Sequence, residues 1–317
     1  MFGIIGVVVA ALLAAVSMAK ADTLKVAIPQ KGAWDTSFTG YGIKQGFFKE
    51  QGLDIEMTYT EGGATTEQAV ISGSVDMAMA SGTLGIISAY VKGAPVRIIS
   101  SEATGTPDLY WYARAESGIK SLKDVAGKTI AFSAPGSSSN LVLLTLLKEA
   151  GITAKPTPTG TMPATFTQVM SGQIDAGWAA PPFGIKDIRD GKIVVIARGN
   201  DSPDVRSETF RVNVVNLNVL QQRREAIVRF AKAYYKSWQW AYTDPKAIDY
   251  LAEDNDISHE IADYSVKNFL PQEASDPYRL SGLQRVLDEA YAAKRIPSPM
   301  KEDDIKGLID IVWQPGK

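Results

Sequence analysis

The chain has 317 residues, of which 45% are hydrophobic and 21% charged, and a formal net charge of −2. It is long enough for two packed domains or one large one, has an ordinary globular composition, and shows no basic footprint for nucleic acid. The absence of cysteine excludes disulfides, thiolate metal sites, a cysteine nucleophile and a lipid-anchored N-terminal cysteine. The single histidine, His259, lies in a polar helical stretch and is expected at the surface. It leaves little room for a histidine-built metal or acid–base cluster, and neither metal nor cofactor is expected.

Residues 2–16 form a nearly unbroken apolar run, followed by Ala19-Lys20-Ala21 and Asp22. The run is short of the roughly 20 residues that span a bilayer. It reads as a secretory leader, residues 1–21, cut after Ala21, although no Lys or Arg precedes it. The remainder is expected to be exported and soluble.

Alternation over 24–28 predicts a first strand that meets Pro29. A loop over 31–35 leads to a helix from Thr36 or Ser37 to Glu50, stopped at Gly52. Strands follow at 53–60, 75–80 and 96–101, with helices at 65–72 and 83–92 between them. Strands alternating with helices predict a parallel sheet covered on both faces. Residues 102–108 break the rhythm and read as a crossover.

The rhythm restarts with strands at 109–114, 129–133, 154–159, 174–180 and 193–197. The intervening helices fall at 121–125, 140–150, 163–171 and 183–190. Ser72-Gly73-Ser74-Val75-Asp76 and Ser171-Gly172-Gln173-Ile174-Asp175 make a weak internal repeat that fits two similar lobes. Residues 198–208 are a return crossover, and 209–216 a return strand. Beyond it Ile227, Phe230, Ala231, Tyr234, Trp238 and Ala241 share one helical face and read as core. Asp244-Pro245 starts another helix, with more at 258–267, 278–293 and 302–312. These complete the first lobe, so the expected division is 22–107 with 208–317 as lobe I, and 108–207 as lobe II.

The stretch Ser133-Ala134-Pro135-Gly136-Ser137-Ser138-Ser139-Asn140 sits between a strand and an apolar helix. Gly136 permits a sharp turn and the hydroxyl residues are good N-caps. Free N–H groups at such a helix start suit an anionic or strongly polar small molecule. Turns at 31–37, 61–65 and 81–83 share its polar chemistry. In an open α/β sheet all four lie at the carboxyl ends of the strands, where ligands bind.

Several words carry a family resemblance. They are Gly46-Phe47-Phe48-Lys49-Glu50-Gln51-Gly52-Leu53, Ser72-Gly73-Ser74-Val75-Asp76, Leu122-Lys123-Asp124-Val125-Ala126-Gly127-Lys128-Thr129 with Gly136-Ser137-Ser138-Ser139, and the run 163–178. Together, over about residues 24–240, they resemble the periplasmic solute-binding proteins of ABC importers, in the sulfonate, taurine and nitrate group named NMT1/THI5-like. The resemblance implies a type II periplasmic-binding-protein fold: two α/β lobes joined by two crossovers and closing as a hinge on a small molecule. It implies an ABC permease in the inner membrane as partner, a periplasmic location and a monomer.

Carried over by position, the site comprises Trp34 and Asp35, Gly63 and Ala64, and Ser81, Gly82 and Thr83 from lobe I. Lobe II supplies Gly136, Ser137, Ser138, Ser139, Asn140, Gly177 and Trp178. Trp34 and Trp178 are candidate clamps for a flat or apolar group. Where relatives carry Trp-x-x-Trp-Asp-Pro-like text, this chain reads Trp178-Ala179-Ala180-Pro181-Pro182, which lowers the polarity and counts against the smallest sulfonates. Arg211 offers a fork-shaped partner for an anion, with a surface salt bridge as its plainer role. Asp35, Glu61, Glu102 and Asp108 would instead favour an amine. The expected order is a small organic anion first and an amino-bearing or heterocyclic compound second. No Gly-x-Ser-x-Gly elbow is present, and Ser117-Gly118-Ile119-Lys120 lacks the motifs that accompany Ser-x-x-Lys in enzymes. Binding is therefore expected rather than catalysis, with a ligand-sensing component as the other non-transport possibility.

Overall fold

The computed structural model describes residues 21–316, so the expected leader, apart from Ala21, lies outside the described residues. A first sheet holds β1 (Asp22–Pro29), β2 (Leu53–Thr60), β3 (Met77–Gly82) and β4 (Val96–Thr104). A second holds β5 (Tyr110–Arg114), β6 (Thr129–Phe132), β7 (Lys155–Pro158), β8 (Ala176–Ala179) and β9 (Ile193–Arg198). The chain then returns through β10 (Thr209–Asn216) to the first sheet. The spatial orders are β2-β1-β3-β10-β4 and β7-β6-β8-β5-β9.

Periodicity alone predicts parallel sheets, and both sheets are instead mixed. β10 runs antiparallel to β3 and β4, and β5 antiparallel to β8 and β9. The cause is the route of the chain. Each antiparallel strand is the first laid down after a crossing between sheets, and it enters from the opposite end. Helical crossovers give parallel neighbours only while the chain stays within one sheet.

The first sheet carries α1 (Phe38–Gln45), α2 (Phe47–Glu50), α3 (Gly63–Ser72) and α4 (Thr83–Val91) between its strands. The second carries α5 (Ser138–Glu149), α6 (Met162–Met170) and α7 (Ile185–Arg189). After β10 come α8 (Leu217–Thr243), α9 (Lys246–Asn255), α10 (His259–Phe269) and α11 (Leu283–Ala292). The single helix expected over 36–50 is broken at Gly46, whose φ of 79° ends α1 and opens α2. The helix expected from 278 starts only at Leu283, because Gly282 takes φ 72° just before it. Residues 302–312 form a 3-10 helix, Glu302–Leu308, and then an extended end whose Ile309 bridges to Ile98. No helix among the described residues is long and apolar enough to cross a membrane.

Each sheet with its helices makes one lobe. The stripe on α8 is core: Ile227, Phe230, Tyr234, Trp238 and Ala241 are buried against Phe38, Phe48 and β1. The repeat visible in the sequence has a structural basis. Asp76 accepts the Lys25 N–H at 2.8 Å, and Asp175 accepts the Thr129 N–H at 2.9 Å, each tying the strand it opens to its neighbour. The hydroxyl pairs Thr60–Thr66 (2.5 Å) and Thr159–Thr165 (2.6 Å) join strand end to helix in both lobes. Helices from the chain's end bridge the lobes. On α11, Glu289 meets Lys148 at 3.0 Å and Arg285 meets Thr145 at 3.1 Å. On α10, Phe269 lies 4.4 Å beneath the Arg198 guanidinium.

Candidate ligand cavity between the lobes

The parallel strands of both sheets end toward one another, and the turns that leave them enclose a cavity. Pro29 and Gln30 enter from the end of β1, Ala80 and Gly82 from β3, Ser133 from β6, and Trp178 and Ala180 from β8. Gly63, Ser137 to Ser139 and Met162 come from the starts of α3, α5 and α6. The cavity encloses about 530 Å³ of space between atoms, open solvent at its mouth included.

Its charged element is a buried ion triplet. Arg211, on β10, donates through Nη1 to Asp35 and through Nη2 to Asp108 at 2.5 Å. Its Nε reaches Ser138 Oγ of the other lobe at 3.3 Å. All three charged residues line the cavity and are less than 9% exposed. The surface salt bridge weighed for Arg211 is thereby corrected, since β10 is central in its sheet and carries the guanidinium inside. Burial alone would lower the Arg211 pKa, yet the two carboxylates leave it raised. Burial also raises the Asp108 carboxyl, against the pull of Arg211. The triplet sets two carboxyl groups against one guanidinium.

The serine turn is mostly occupied with itself. Ser137 caps α5 by accepting the Asn140 N–H, and Asn140 Oδ1 accepts the Gly136 N–H at 3.0 Å. Ser139 Oγ bonds Ser133 and Ser137 at 3.0 and 3.1 Å. What the turn still offers is the start of α5, where the first N–H groups of a helix have no internal partner. Across the gap Gly82 belongs to the closing surface. A Cβ on it would lie 2.7 Å from the Gly136 carbonyl oxygen and 3.2 Å from Ser137 Cα. The lobes therefore meet here backbone to backbone.

Among the described residues, two that line the cavity carry buried polar atoms without a partner: Trp178 Nε1, a donor, and Gln30 Oε1, an acceptor. Such atoms are costly unless something binds them.

Of the residues expected in the site, Asp35, Gly63, Gly82, Ser137, Ser138, Ser139, Trp178 and Arg211 line this cavity. Gly136 and Asn140 shape the turn behind it. Trp34 does not line it. Its ring is 1% exposed and packs edge-on against Phe38, Tyr41 and Tyr242, so the clamp expected there is core. Gly177 lies off the cavity because the Tyr112 ring covers its α-carbon, 2.5 Å from where a Cβ would sit. Ala64, Ser81 and Thr83 also stand outside the lining. Asp108, weighed from the sequence as a partner for an amine, also lines the cavity, and residues not expected there include Gln30 and Met162. Met162 follows from the repeat, because it opens α6 as Gly63 opens α3.

A buried carboxyl closes the back of the site. Glu67 on α3 accepts the Gly82 N–H at 3.1 Å. Burial pushes its pKa up to about 8, against that hydrogen bond and the charge of Arg295. Both Gly82 and Gly85 leave room for it, since a Cβ on Gly85 would sit 2.2 Å from Glu67 Oε2.

The family model described as NMT1/THI5 like matches residues 36–248, and the chain belongs to that family. A Bacillus subtilis protein, YtlA, named as a binding protein, is 22% identical over 269 residues, covering 80% of this chain and 79% of its own. The phosphate-import protein PhnD of Mycolicibacterium smegmatis is 30% identical over 171 residues, 48% of this chain and 53% of that one. Among solved structures, the alkanesulfonate-binding protein SsuA from Xanthomonas axonopodis pv. citri, bound to MOPS, superposes with a TM-score of 0.76. It is 17% identical and covers 92% of this chain and 99% of its own. The nitrate-binding protein NrtA from Synechocystis PCC 6803 gives 0.74 at 14% identity, covering 92% and 87%. These likenesses establish the two-lobed α/β fold of periplasmic binding proteins.

Proposed function

We propose that this chain is the exported solute receptor of an ABC importer. It captures a small organic molecule between lobes 22–107 with 208–317 and 108–207, and presents it to an inner-membrane permease as a monomer, without transforming it. The observation that carries this reading is a cavity furnished by both lobes, with Arg211 of one bonded to Ser138 of the other. A ligand there stabilises the closed state of a hinge.

The first ligand reading is a small organic anion, a sulfonate or carboxylate, with its acidic group at the start of α5. The Trp178 N–H supports it, as do relatives named for alkanesulfonate, nitrate and phosphate. A second reading is favoured by the ion triplet. Both fork sides of Arg211 are taken, and the lining sets two carboxyl groups against that one cation, which suits a zwitterion or an amino-bearing heterocycle.

A thermal-shift screen of the mature chain tests both, using alkanesulfonates, aliphatic and aromatic carboxylates, aminosulfonates and pyrimidines. A true ligand at a hundredfold excess over Kd adds about 2.7 kcal/mol. Shifts from plain anions alone select the first reading, and shifts that require an amine select the second. No shift from any class sinks the ligand proposal, and turnover of a hit sinks the receptor role.

A further inference from the structure

The end of β3 is held in an uncommon way. Ser81 pairs with Val212 and Ala78 with Val214, so Met79 and Ala80 together face Asn213 alone. This is a β-bulge with an extra residue on β3. Ala80 takes φ 48°, a left-handed conformation that bulges usually assign to glycine. The bulge interrupts the ladder, and a side chain repairs it. Asn213 Oδ1 accepts the Ala80 N–H at 2.9 Å. Its amide nitrogen donates to Ser100 Oγ at 3.0 Å and to Glu102 Oε2.

Glu102 in turn accepts from the Tyr234 hydroxyl on the same oxygen, while Oε1 has no partner. It is 1% exposed. The charged and titratable groups around it are Arg211 on β10, Asp35 in the first loop, and Tyr234 and Tyr242 on α8. Burial, reinforced by Asp35, pushes its pKa up to about 8 against the bonds from Tyr234 and Asn213. Near neutral pH it is mainly the uncharged acid.

Ala80 lines the cavity, and two residues on, Gly82 makes the closing contact with Gly136. We propose that Asn213, backed by Glu102, is the positioning residue that aims the end of β3 at the ligand cavity and at the opposite lobe. Without its acceptor, nothing compensates the left-handed Ala80. Residues 80–82 then relax toward ordinary strand geometry, which turns their side chains and N–H groups away from the gap.

The test is backbone amide exchange on the ligand-free chain, expressed as protection factors so that intrinsic pH dependence drops out. Asn213→Ala is expected to lower protection at Ala80 by about tenfold, the weight of one buried hydrogen bond, while β6 and α5 keep theirs. Glu102→Gln, which copies the shape of the neutral acid, is expected to stay near the parent. Protection at Ala80 in the parent should fall as pH rises past about 8, where Glu102 ionises, and should stay flat in Glu102→Gln. If Asn213→Ala does not fold, Asn213→Asp in the Glu102→Gln background retains the acceptor for Ala80 and supplies the donor from residue 102 instead, and is expected to retain Ala80 protection. Unchanged protection in Asn213→Ala, loss in that double variant, or identical pH profiles for the parent and Glu102→Gln overturns the assignment. The link to solute capture rests on the function proposed above, whereas exchange reads the geometry without a solute. A failed ligand screen and a failed exchange test are therefore separate results.

Discussion

β10 and β5 occupy the same place in their sheets, fourth in order and antiparallel to both neighbours. Their chemistry is opposite. β5 buries Tyr110, Trp111, Tyr112 and Ala113, with the Trp111 indole bonded to the Ala131 carbonyl at 2.9 Å and the Tyr110 hydroxyl to Phe183 at 2.6 Å. β10 buries Thr209, Arg211, Asn213 and Asn216, and Arg211 and Asn213 reach carboxyl groups outside their own strand. Lobe II is thus an aromatic platform that presents Trp178 and the serine turn. Lobe I carries Asp35 and Arg211, and Asp108 joins them from the first residue of lobe II. A buried charge is tolerated only when paired, so lobe I is where stability and ligand chemistry are bound together.

The largest expected effect breaks that pairing. Arg211→Ala leaves Asp35 and Asp108 buried without a counter-charge and should cost about 3–5 kcal/mol in denaturant unfolding. Tyr110→Phe, its counterpart on β5, removes one hydroxyl bond and should cost about 1 kcal/mol. Equal losses would mean that the two strands do not differ as argued.

Gly82→Ala separates closure from folding. Gly82 has φ −65°, so alanine fits the backbone, but its Cβ would press on the Gly136 oxygen of the other lobe. Overpacking of this kind costs about 1–3 kcal/mol. It should appear chiefly as weaker affinity for whichever solute the screen returns, with a smaller fall in the ligand-free melting temperature from the 3.2 Å approach to Glu67 Oε1. A lowered ligand-free melting temperature with intact affinity would place the clash within lobe I instead.

The pH response should also divide between the lobes. Glu67 and Glu102 in lobe I are raised to about 8 by burial. Folding therefore takes up protons at these sites, and their contribution is fully present below the ordinary glutamate range and lost as pH rises through about 8. In lobe II, burial of Asp175 is outweighed by bonds from Thr129, and its pKa is lowered. Its contribution is present above the ordinary aspartate range and lost as acid protonates it. Melting temperature should fall from pH 5.5 to 8.5, and Glu67→Gln with Glu102→Gln should reduce that slope, leaving the share of Glu208, which burial raises to about 7. A double variant with the parent's slope would place the proton uptake elsewhere.

The smallest effect on stability is expected from Trp178→Phe. It removes an indole N–H that has no partner among the described residues, so unfolding should change by less than about 1 kcal/mol. A solute that accepts from that N–H should bind more weakly, and unaltered affinity would take Trp178 out of the polar contacts.

Much of this was legible in the residues. Alternation and Gly or Pro stops locate the strands, and the rule that ligands sit beyond strand ends picks out Gly82, Trp178 and the serine turn. The antiparallel strands were not legible, because their direction depends on where the chain crosses, not on local pattern. Arg211 was misjudged for a related reason. Its partners Asp108 and Asp35 lie 103 and 176 residues away in the chain, and no local spacing links them. Trp34 follows a loop glycine and suggested a cleft edge, but Tyr242 and the helix it precedes enclose it. The bulge at Ala80 left no mark at all, since alanine is not a residue that signals a left-handed turn.

The late arrival of β10 has a consequence for how the molecule is built. Every strand of the second sheet lies between Tyr110 and Arg198, whereas the first sheet keeps a vacant place between β3 and β4 until residues 209–216 exist. A chain that emerges N-terminus first can therefore finish its second lobe before its first. Until then β3 and β4 face each other as unfilled edges, open to wrong pairing. Arg211 and Asn213, the partners of Asp35, Asp108 and Glu102, arrive only with that last strand. The last third of the chain decides when the whole becomes compact.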